Sequence, residues 1–294
     1  MKEIKNCFIC GNDKFSQFIK CKDLLLTKEE FQIVQCEKCG FLFTNPRPQE
    51  SDIKKYYESD EYISHKSNKK TLFNTAYRLV RNLAIKKKFK LISELKQGNT
   101  LLDIGCGTGE FINFFKKNKW EVHGVEPNKD ARALAVSNYG LNVKDEESLN
   151  YFENNFFDVI TMWHVLEHVY PLNQRIEKVK QLLKDDGILI VAVPNCESWD
   201  AKFYKEFWAA YDVPRHLYHF SQKTIKLLFE NNNLQILKTI PMKFDSYFVS
   251  LLSEKYSTGK INYLKAYLNG RKSNSFARKN HNNFSSLIYV LKKS

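Results

Sequence analysis

The chain has 294 residues, of which 43% are hydrophobic and 14% aromatic, and it carries a formal net charge of +13. This composition excludes an intrinsically disordered protein, and the length is sufficient for one large or two modest domains with a buried core. The positive charge is spread along the sequence and is mostly lysine, which favours a solvated basic surface over an arginine-rich nucleic-acid tract. The first residues, MKEIKNCFICG, contain no apolar secretion signal, and no run of about 18 apolar residues occurs, so we expect a cytoplasmic protein.

Two Cys-x-x-Cys pairs, each followed by glycine, occur near the N-terminus in NCFICG and VQCEKCG. Such pairs form tight turns that direct two thiolates at one ion, so Cys7, Cys10, Cys36 and Cys39 are predicted to bind Zn²⁺ tetrahedrally. The gap between the pairs exceeds the usual spacing of about 15 to 20 residues, so the intervening segment with Cys21 must fold outward. Four thiolates leave no open position on the metal, which indicates a structural role. A redox-active pair and a site that has lost its metal are the alternatives.

A boundary rich in proline follows the second cysteine pair. The segment GFLFTNPRPQE is typical of a strand that Pro46 and Pro48 bring to an end. We therefore expect a zinc-binding lobe over residues 1–48 and a helical connector over residues 49–98. The predicted helix of the connector has an apolar face formed by Ile85, Phe89 and Ile92.

A turn with three glycines lies in the segment LLDIGCGTGEF. Asp103 ends a predicted strand, Gly105, Gly107 and Gly109 form the turn, and Glu110 begins a helix. Glycine at these places allows positive φ and lets a ligand approach the backbone closely. The dinucleotide fingerprint G-x-G-x-x-G requires glycine where Glu110 stands, which argues against NAD or FAD. The segment predicts a different ligand, with an inert strand-to-helix turn as the alternative.

The next predicted strand lies in WEVHGVEPN and places Glu126 at its C-terminal end, roughly 20 residues after the glycines. A carboxylate at this position can accept hydrogen bonds from both hydroxyl groups of a ribose. The alternative is a solvated acid at a strand end. The spacing favours a nucleoside ligand.

Strands and helices alternate from residue 100 onward, which predicts a doubly wound parallel sheet with right-handed crossovers. The apolar runs FDVITMWH and ILIVAV are suited to central strands, buried on both faces. The predicted strands cover residues 100–104, 120–126, 142–144, 157–164, 188–193, 234–240 and 285–291.

Four segments, LLDIGCGTGEF, GVEPN, FDVITMWHVLEHV and DDGILIVAVPN, occur in this order, and the series resembles the motifs of class I S-adenosylmethionine-dependent methyltransferases. The resemblance implies a Rossmann-like α/β domain over residues 99–294, with a mostly parallel seven-stranded sheet whose last strand lies antiparallel between the fifth and sixth. It also implies that S-adenosylmethionine is the cofactor. The donor-binding residues would be Asp103, Gly105, Cys106, Gly107, Thr108, Gly109, Glu126, Pro127, Trp163 and His164. Which acid reads the adenine stays open among Asp145, Glu146 and Glu147.

The segment after the fifth strand, residues 196–220, is rich in large aromatic residues. Since loops at this edge of an open sheet hold ligands, we predict an active-site lid and acceptor pocket, with aromatic packing between lobes as the alternative. A histidine suits the removal of a proton from an oxygen or carbon acceptor at neutral pH. His216 is the first candidate for this base and His219 the second, while His168 is expected to be structural. Residues 243–283 read as a helical insertion.

A four-cysteine lobe ahead of such a domain is similar to the arrangement in deoxysugar C-methyltransferases, which act on nucleotide-linked sugars. The resemblance implies a small sugar or glycan intermediate as the molecule methylated on O or C. The positive charge supports an RNA methyltransferase that grips nucleic acid with its zinc lobe as the first alternative. A donor-binding or scaffold protein without turnover is the second.

Overall fold

The computed structural model describes residues 1–57, 72–96 and 98–294, so part of the predicted helical connector lies outside the described residues. The strands are β1 (Phe15–Lys22), β2 (Glu30–Cys36), β3 (Leu42–Thr44), β4 (Thr100–Ile104), β5 (Glu121–Val125), β6 (Asn142–Lys144), β7 (Phe157–Trp163), β8 (Leu183–Pro194), β9 (Tyr218–His219), β10 (Leu234–Pro241) and β11 (Ser286–Lys293). The α-helices are α1 (Leu72–Leu95), α2 (Glu110–Lys117), α3 (Lys129–Tyr139), α4 (Leu172–Leu182), α5 (Trp199–Tyr204), α6 (Gln222–Glu230), α7 (Asp245–Thr258) and α8 (Tyr263–Lys279).

Seven strands form one sheet in the order β10-β11-β8-β7-β4-β5-β6. Strand β4 runs parallel to β5 and β7, and β5 runs parallel to β6. The prediction of a mostly parallel, seven-stranded α/β sheet is confirmed, and the last strand lies between the fifth and sixth strands of the domain as expected.

Strand β8 is longer than predicted, because it begins at Leu183 rather than at Ile188. The polar pair Asp185 and Asp186 suggests a turn in the sequence. In the structure the chain is extended there, and these exposed carboxylates pair with Lys293 and Lys96, respectively.

The chain divides into two units. Unit 1 comprises Met1–Tyr62, His164–Asn173 and Ala192–Tyr289, and unit 2 comprises Ile63–Trp163, Gln174–Val191 and Val290–Ser294. No helix in the described part of the chain is both long enough and apolar enough to cross a lipid bilayer.

Unit 2 has its core around β4, all five residues of which are buried. The apolar face of α2 buries Phe111, Ile112 and Phe115. Helix α1 packs on this helix through Phe89, whose ring meets those of Phe114 and Phe115 at centroid distances of 5.2 and 4.9 Å. The predicted apolar face of α1 is therefore confirmed, since Ile85 and Ile92 are buried as well.

Unit 1 contains a second, four-stranded sheet in the order β1-β2-β3-β9. Strand β9 pairs antiparallel with β3, Tyr218 facing Phe43 and His219 facing Leu42. The last strand of the N-terminal lobe is therefore supplied by a distant part of the sequence, which the local pattern of residues 1–48 could not indicate.

Candidate functional site

The glycine turn connects β4 to α2, and all three glycines have positive φ: 75° at Gly105, 54° at Gly107 and 84° at Gly109. A Cβ atom added at Gly109 would lie 2.5 Å from Leu141 Cδ1, so this glycine is required for packing. A Cβ atom at Gly107 would meet no atom within 4 Å. The backbone at Gly107 consequently faces open space that a ligand can occupy.

Glu126, directly after β5, is bound to the glycine turn. Its Oε2 accepts a hydrogen bond from the Gly107 N–H at 2.9 Å, and its Oε1 accepts one from the Asn128 N–H at 2.9 Å. Burial raises the pKa of this carboxyl, while the two N–H groups act in the opposite direction. Because each carboxylate oxygen has a second lone pair, Glu126 can shape the turn and still accept from a ligand hydroxyl.

Asp103 lies within β4 and is only 2% exposed. The Thr161 hydroxyl donates to its Oδ1 at 2.6 Å. Burial raises the pKa of Asp103 to about 7, and the nearby Glu126 carboxylate adds to the effect while Lys88 opposes it. This carboxyl therefore changes its charge near neutral pH.

Trp163, the last residue of β7, belongs to unit 2 together with the glycine turn. Its buried indole N–H donates to no group among the residues that the structure describes. The Lys88 ammonium lies 3.6 Å from the centroid of a Trp163 ring, and the Phe111 ring meets the indole at 5.7 Å. A buried N–H group of this kind can donate a hydrogen bond to an acceptor atom of a ligand. It is a second feature of unit 2, beside the open space at the Gly107 backbone, that suits a bound ligand.

The other residues of unit 2 that the sequence predicts to bind the methyl donor lie in or near the glycine turn. Cys106 is buried, and burial raises the pKa of its thiol. The Thr108 hydroxyl donates to Glu110 Oε2 at 2.6 Å, and the Pro127 carbonyl accepts from Arg132 Nη1 at 2.8 Å. These contacts fix the turn and the start of α3.

The three candidate acids after β6 have different surroundings. Asp145 caps a short 3₁₀ helix by accepting from the Ser148 N–H, and Glu146 pairs with Arg175. Glu147 is exposed. Two of the three candidates thus have structural partners.

His164, the last of the predicted donor residues, belongs to unit 1 and has a positive φ of 55°. Its Nδ1 lies 3.4 Å from Glu167 Oε1, and its Nε2 lies 3.1 Å from Asp245 Oδ2. Burial alone would lower the pKa of His164, but the two carboxylates outweigh it and raise the pKa to about 10. Sequence reasoning assigned neither acid to a site. No spacing rule relates Asp245 to His164, and Glu167 lies in a run that reads as the start of a helix.

His216 and His219 are both buried in unit 1. The Nδ1 of His216 lies 2.9 Å from the Ala210 carbonyl oxygen, and its Nε2 lies 4.0 Å from Asp212 Oδ2. The Nε2 of His219 lies 3.3 Å from the Thr44 hydroxyl, and burial lowers the pKa of His219 well below its ordinary value. The structure therefore gives the two predicted bases different surroundings, although both lie beside the N-terminal sheet of unit 1.

Glu167 and His168, which the sequence reading did not assign to a site, lie close to His216. The rings of His168 and His216 meet edge to face with centroids 4.6 Å apart. The only signal in the sequence was the run LEH after β7, which reads as the start of a helix.

Three large aromatic residues of segment 196–220, Tyr204, Trp208 and Tyr211, pack into a buried apolar cluster together with Phe31 and Tyr56. Trp199 and Phe203 are not members of this cluster; their rings stack on each other, and Phe203 is 45% exposed. The first three side chains thus have the core packing that was the alternative to a lid, and the lid and acceptor pocket stay a prediction.

The four predicted metal ligands come together at one end of the N-terminal lobe. Their sulfur atoms all lie within 4.8 Å of one another, with Cys7 and Cys39 at 3.6 Å and Cys10 and Cys36 at 3.5 Å. A tetrahedral ion with bonds of about 2.3 Å requires sulfur atoms about 3.8 Å apart, so the cluster fits Zn²⁺. Burial acts to raise the pKa of Cys36, but backbone N–H groups at Lys38 and Cys39 bring it to about 7.

Comparison with known proteins gives one family. A family model described as a methyltransferase domain matches residues 77–239, more than half of the chain. An uncharacterized protein of Methanocaldococcus jannaschii is 31% identical over 148 residues, which cover 49% of this chain and 52% of that protein. A ubiquinone biosynthesis O-methyltransferase of Haemophilus ducreyi is 33% identical over 110 residues, which cover 33% of this chain and 46% of that enzyme. The chain therefore spans about half the length of these curated relatives.

A solved structure supports the same fold. The magnesium protoporphyrin IX methyltransferase of Synechocystis PCC 6803, crystallised with bound SAH, aligns over 84% of this chain and 100% of its own. The TM-score is 0.54 and the sequence identity is 12%. At this identity the alignment describes the arrangement of strands and helices and leaves the acceptor open.

Proposed function

The chain belongs to the methyltransferase-domain family, and from this premise we propose that it transfers a methyl group from S-adenosylmethionine to an oxygen or carbon atom of a small molecule. The observation that carries the proposal is the glycine turn of unit 2, where Gly107 exposes its backbone beside Glu126. Relatives named as O-methyltransferases favour oxygen as the acceptor atom.

The residues of unit 2 suit the chemical parts of the methyl donor. Glu126 would accept from the ribose hydroxyls, and the indole N–H of Trp163 would donate to the carboxylate of the methionine part. Asp103, when ionised, would attract the positively charged end of the donor. S-adenosylmethionine, when bound, supplies an electrophilic methyl group on a sulfonium. The protein then contributes alignment of the acceptor and exclusion of water, and good alignment is worth about 7 to 11 kcal/mol of the barrier.

Isothermal titration with S-adenosylmethionine and its demethylated product tests donor binding. Replacing Glu126 with Gln leaves one acceptor oxygen and turns an amide N–H₂ toward a backbone N–H, so the variant should lose at least about tenfold in affinity, or about 1.4 kcal/mol. Glu121→Gln is the matched control, since Glu121 is an exposed acid at the start of the same strand. Failure of the wild-type protein to bind, or equal binding by Glu126→Gln, would contradict the assignment.

A sugar or glycan intermediate is the acceptor that we propose. Its support is the four-cysteine lobe ahead of the methyltransferase domain and the many lysines, which can meet substrate phosphates. The protein should be incubated with donor labelled in the methyl group and separate pools of nucleotide sugars, phenolic quinone precursors, RNA and protein. Label in the nucleotide-sugar pool alone is the expected result. Label in RNA, lost with rising salt, would establish the nucleic-acid alternative instead.

His216 is proposed as the group that takes the proton from the acceptor, and His219 is the second candidate. The Ala210 carbonyl can only accept, so Nδ1 of His216 carries the ring proton and its Nε2 has a lone pair. Once the acceptor is known, His216→Ala should lower kcat by about 100-fold or more. Full turnover by this variant would reject the role.

We also propose that the four cysteines hold a structural Zn²⁺. Metal analysis should find zinc in the purified protein, and Cys36→Ser and Cys39→Ser should reduce it sharply and lower the thermal midpoint. Cys21→Ser is the control, because Cys21 is a buried thiol outside the cluster. Wild-type protein that lacks stoichiometric zinc would overturn the proposal.

A further inference from the structure

Glu167, His168 and His216 form a second group of side chains able to ligate a metal. Each offers one ligand atom, and these three atoms all lie within 4.8 Å of one another in unit 1. Two imidazoles and one carboxylate are a ligand set that proteins use for first-row transition metals. The cluster contains none of the four cysteines.

Both histidines are oriented as metal ligands are. His168 Nδ1 lies 3.1 Å from the Arg215 carbonyl oxygen, and His216 Nδ1 lies 2.9 Å from the Ala210 carbonyl oxygen. A carbonyl only accepts, so Nδ1 of each ring donates to it and Nε2 is the nitrogen available to a metal; the Tyr57 hydroxyl, 3.0 Å from His168 Nδ1, then accepts from the same N–H. A backbone carbonyl that fixes the tautomer in this way is the usual partner behind a ligating histidine.

Glu167 is the buried acid of the cluster. The residue is 0% exposed, and neither of its carboxylate oxygens accepts a hydrogen bond from any residue in the described part of the chain. It is paired with His164, whose Nδ1 lies 3.4 Å from Oε1 without the alignment of a hydrogen bond. The charge of His164 offsets part of the cost of burying this carboxylate, and a metal ion would supply the direct bonds that its oxygens lack.

From this geometry we propose that Glu167, His168 and His216 bind one divalent transition-metal ion, such as Zn²⁺, Fe²⁺ or Co²⁺. Three protein ligands leave at least one position for water or an acceptor oxygen, unlike the four-cysteine cluster. The carboxylate of Asp212, 4.0 Å from His216 Nε2, adds negative charge at the edge of the site. Imidazole ligands disfavour Mg²⁺ and Ca²⁺.

An ion at this site would occupy the lone pair of His216, and the base of the proposed reaction would then be His219, the second candidate.

The test is equilibrium dialysis of the zinc-loaded protein against Co²⁺, which is independent of whether methyl transfer occurs. We expect one cobalt ion per chain beyond the zinc. Its visible spectrum should show cobalt with nitrogen and oxygen ligands and no thiolate charge-transfer band, since thiolate absorption would report on the cysteine cluster. Absence of a second ion in the wild-type protein overturns the proposal without any variant.

Two variants locate the site. Glu167→Gln and His216→Gln should each weaken Co²⁺ binding at least tenfold, while both retain zinc in the cysteine cluster. His281→Asn is the matched control, because His281 is exposed and asparagine tolerates its positive φ of 52°. Unchanged binding in both variants, or equal loss in the control, contradicts the assignment. If a variant fails to fold, broadening of the His168 and His216 ring signals by Co²⁺ in the wild-type protein gives the same decision.

Discussion

Gly107 and Gly140 share a left-handed backbone, with φ of 54° and 58°, and neither has an atom nearer than 3.7 Å to an added Cβ. Replacing either with alanine should therefore cost about 1–2 kcal/mol of unfolding free energy through the backbone alone. Only Gly107→Ala should also reduce affinity for S-adenosylmethionine, because its methyl group would occupy the open side of the turn. Chemical denaturation and calorimetric titration of the two variants measure both effects. Equal affinities would place the donor elsewhere.

We expect donor binding to depend on pH through Asp103, one of the proposed donor-binding residues. Its pKa is raised to about 7 by burial, so the carboxyl becomes negative as the pH rises through that value. The raised pKa also means that burying Asp103 reduces stability progressively between its ordinary pKa of 3.8 and about 7. The donor carries net positive charge, so its Kd should fall by about tenfold between about pH 6 and about pH 8. Asp103→Asn should flatten this profile, and a variant that retains it would exclude Asp103 as the cause.

At the scale of single residues, the sequence was informative where spacing alone brings groups together. The Cys-x-x-Cys pairs predicted the thiol cluster, and the distance from the glycines to Glu126 predicted a carboxylate at the turn. The pairing of His164 with Asp245 and the cluster around Glu167 were not predicted. Both depend on how unit 1 folds, and no local pattern records that contact.

Helices α7 and α8 show how one glycine sets the distance between two elements. A Cβ atom at Gly270 of α8 would lie 2.7 Å from Tyr247 Cδ1, 2.9 Å from its Cα and 3.0 Å from its backbone nitrogen. Alanine has better helix propensity by about 1 kcal/mol, but backbone atoms cannot move aside, so Gly270→Ala should destabilise the protein by about 1–3 kcal/mol. Ser275→Ala, at an exposed position of the same helix, should lie within about 0.5 kcal/mol of wild type. Denaturant unfolding of both variants measures the difference.

Most elements were predictable because burial follows the sequence pattern. Strand β7 reads as an apolar run and is buried almost throughout, and Ser221 caps α6 by accepting a hydrogen bond from the Thr224 N–H, as serine commonly does at a helix start. Strand β9 was not predictable as a strand, since two residues carry no periodicity. Its pairing with β3 depends on tertiary contacts that the local sequence does not show. The sequence of residues 196–220 therefore predicted a loop.

At the scale of the molecule, Arg215 joins parts of unit 1 that are far apart in sequence. Its guanidinium donates to Asp23 Oδ1 at 2.9 Å, to Asp212 Oδ1 at 2.7 Å and to the Tyr56 carbonyl at 2.9 Å. Arg215 and Asp23 have side chains 1% and 0% exposed. Arg215→Met would leave the buried Asp23 carboxylate without a cation, so we expect a loss of about 3–5 kcal/mol in unfolding free energy.

The control for this prediction is an exposed ion pair in the same unit. Lys20 pairs with Glu30 at 3.4 Å, and both side chains are more than half exposed. Lys20→Met should leave the unfolding midpoint unchanged, because water screens such pairs. If the two variants were equally stable, the buried pair would have no net role in holding unit 1 together.

The position of β9 in the N-terminal sheet also has a consequence during protein synthesis. The first three strands of that sheet leave the ribosome early, whereas their partner, residues 218–219, follows only after most of the polypeptide has been made. At about 5–20 residues per second, the nascent lobe waits on the order of ten seconds or more with the edge of β3 unpaired. An early metal ion would then protect the unfinished polypeptide from chaperone capture and aggregation, long before any catalytic surface exists.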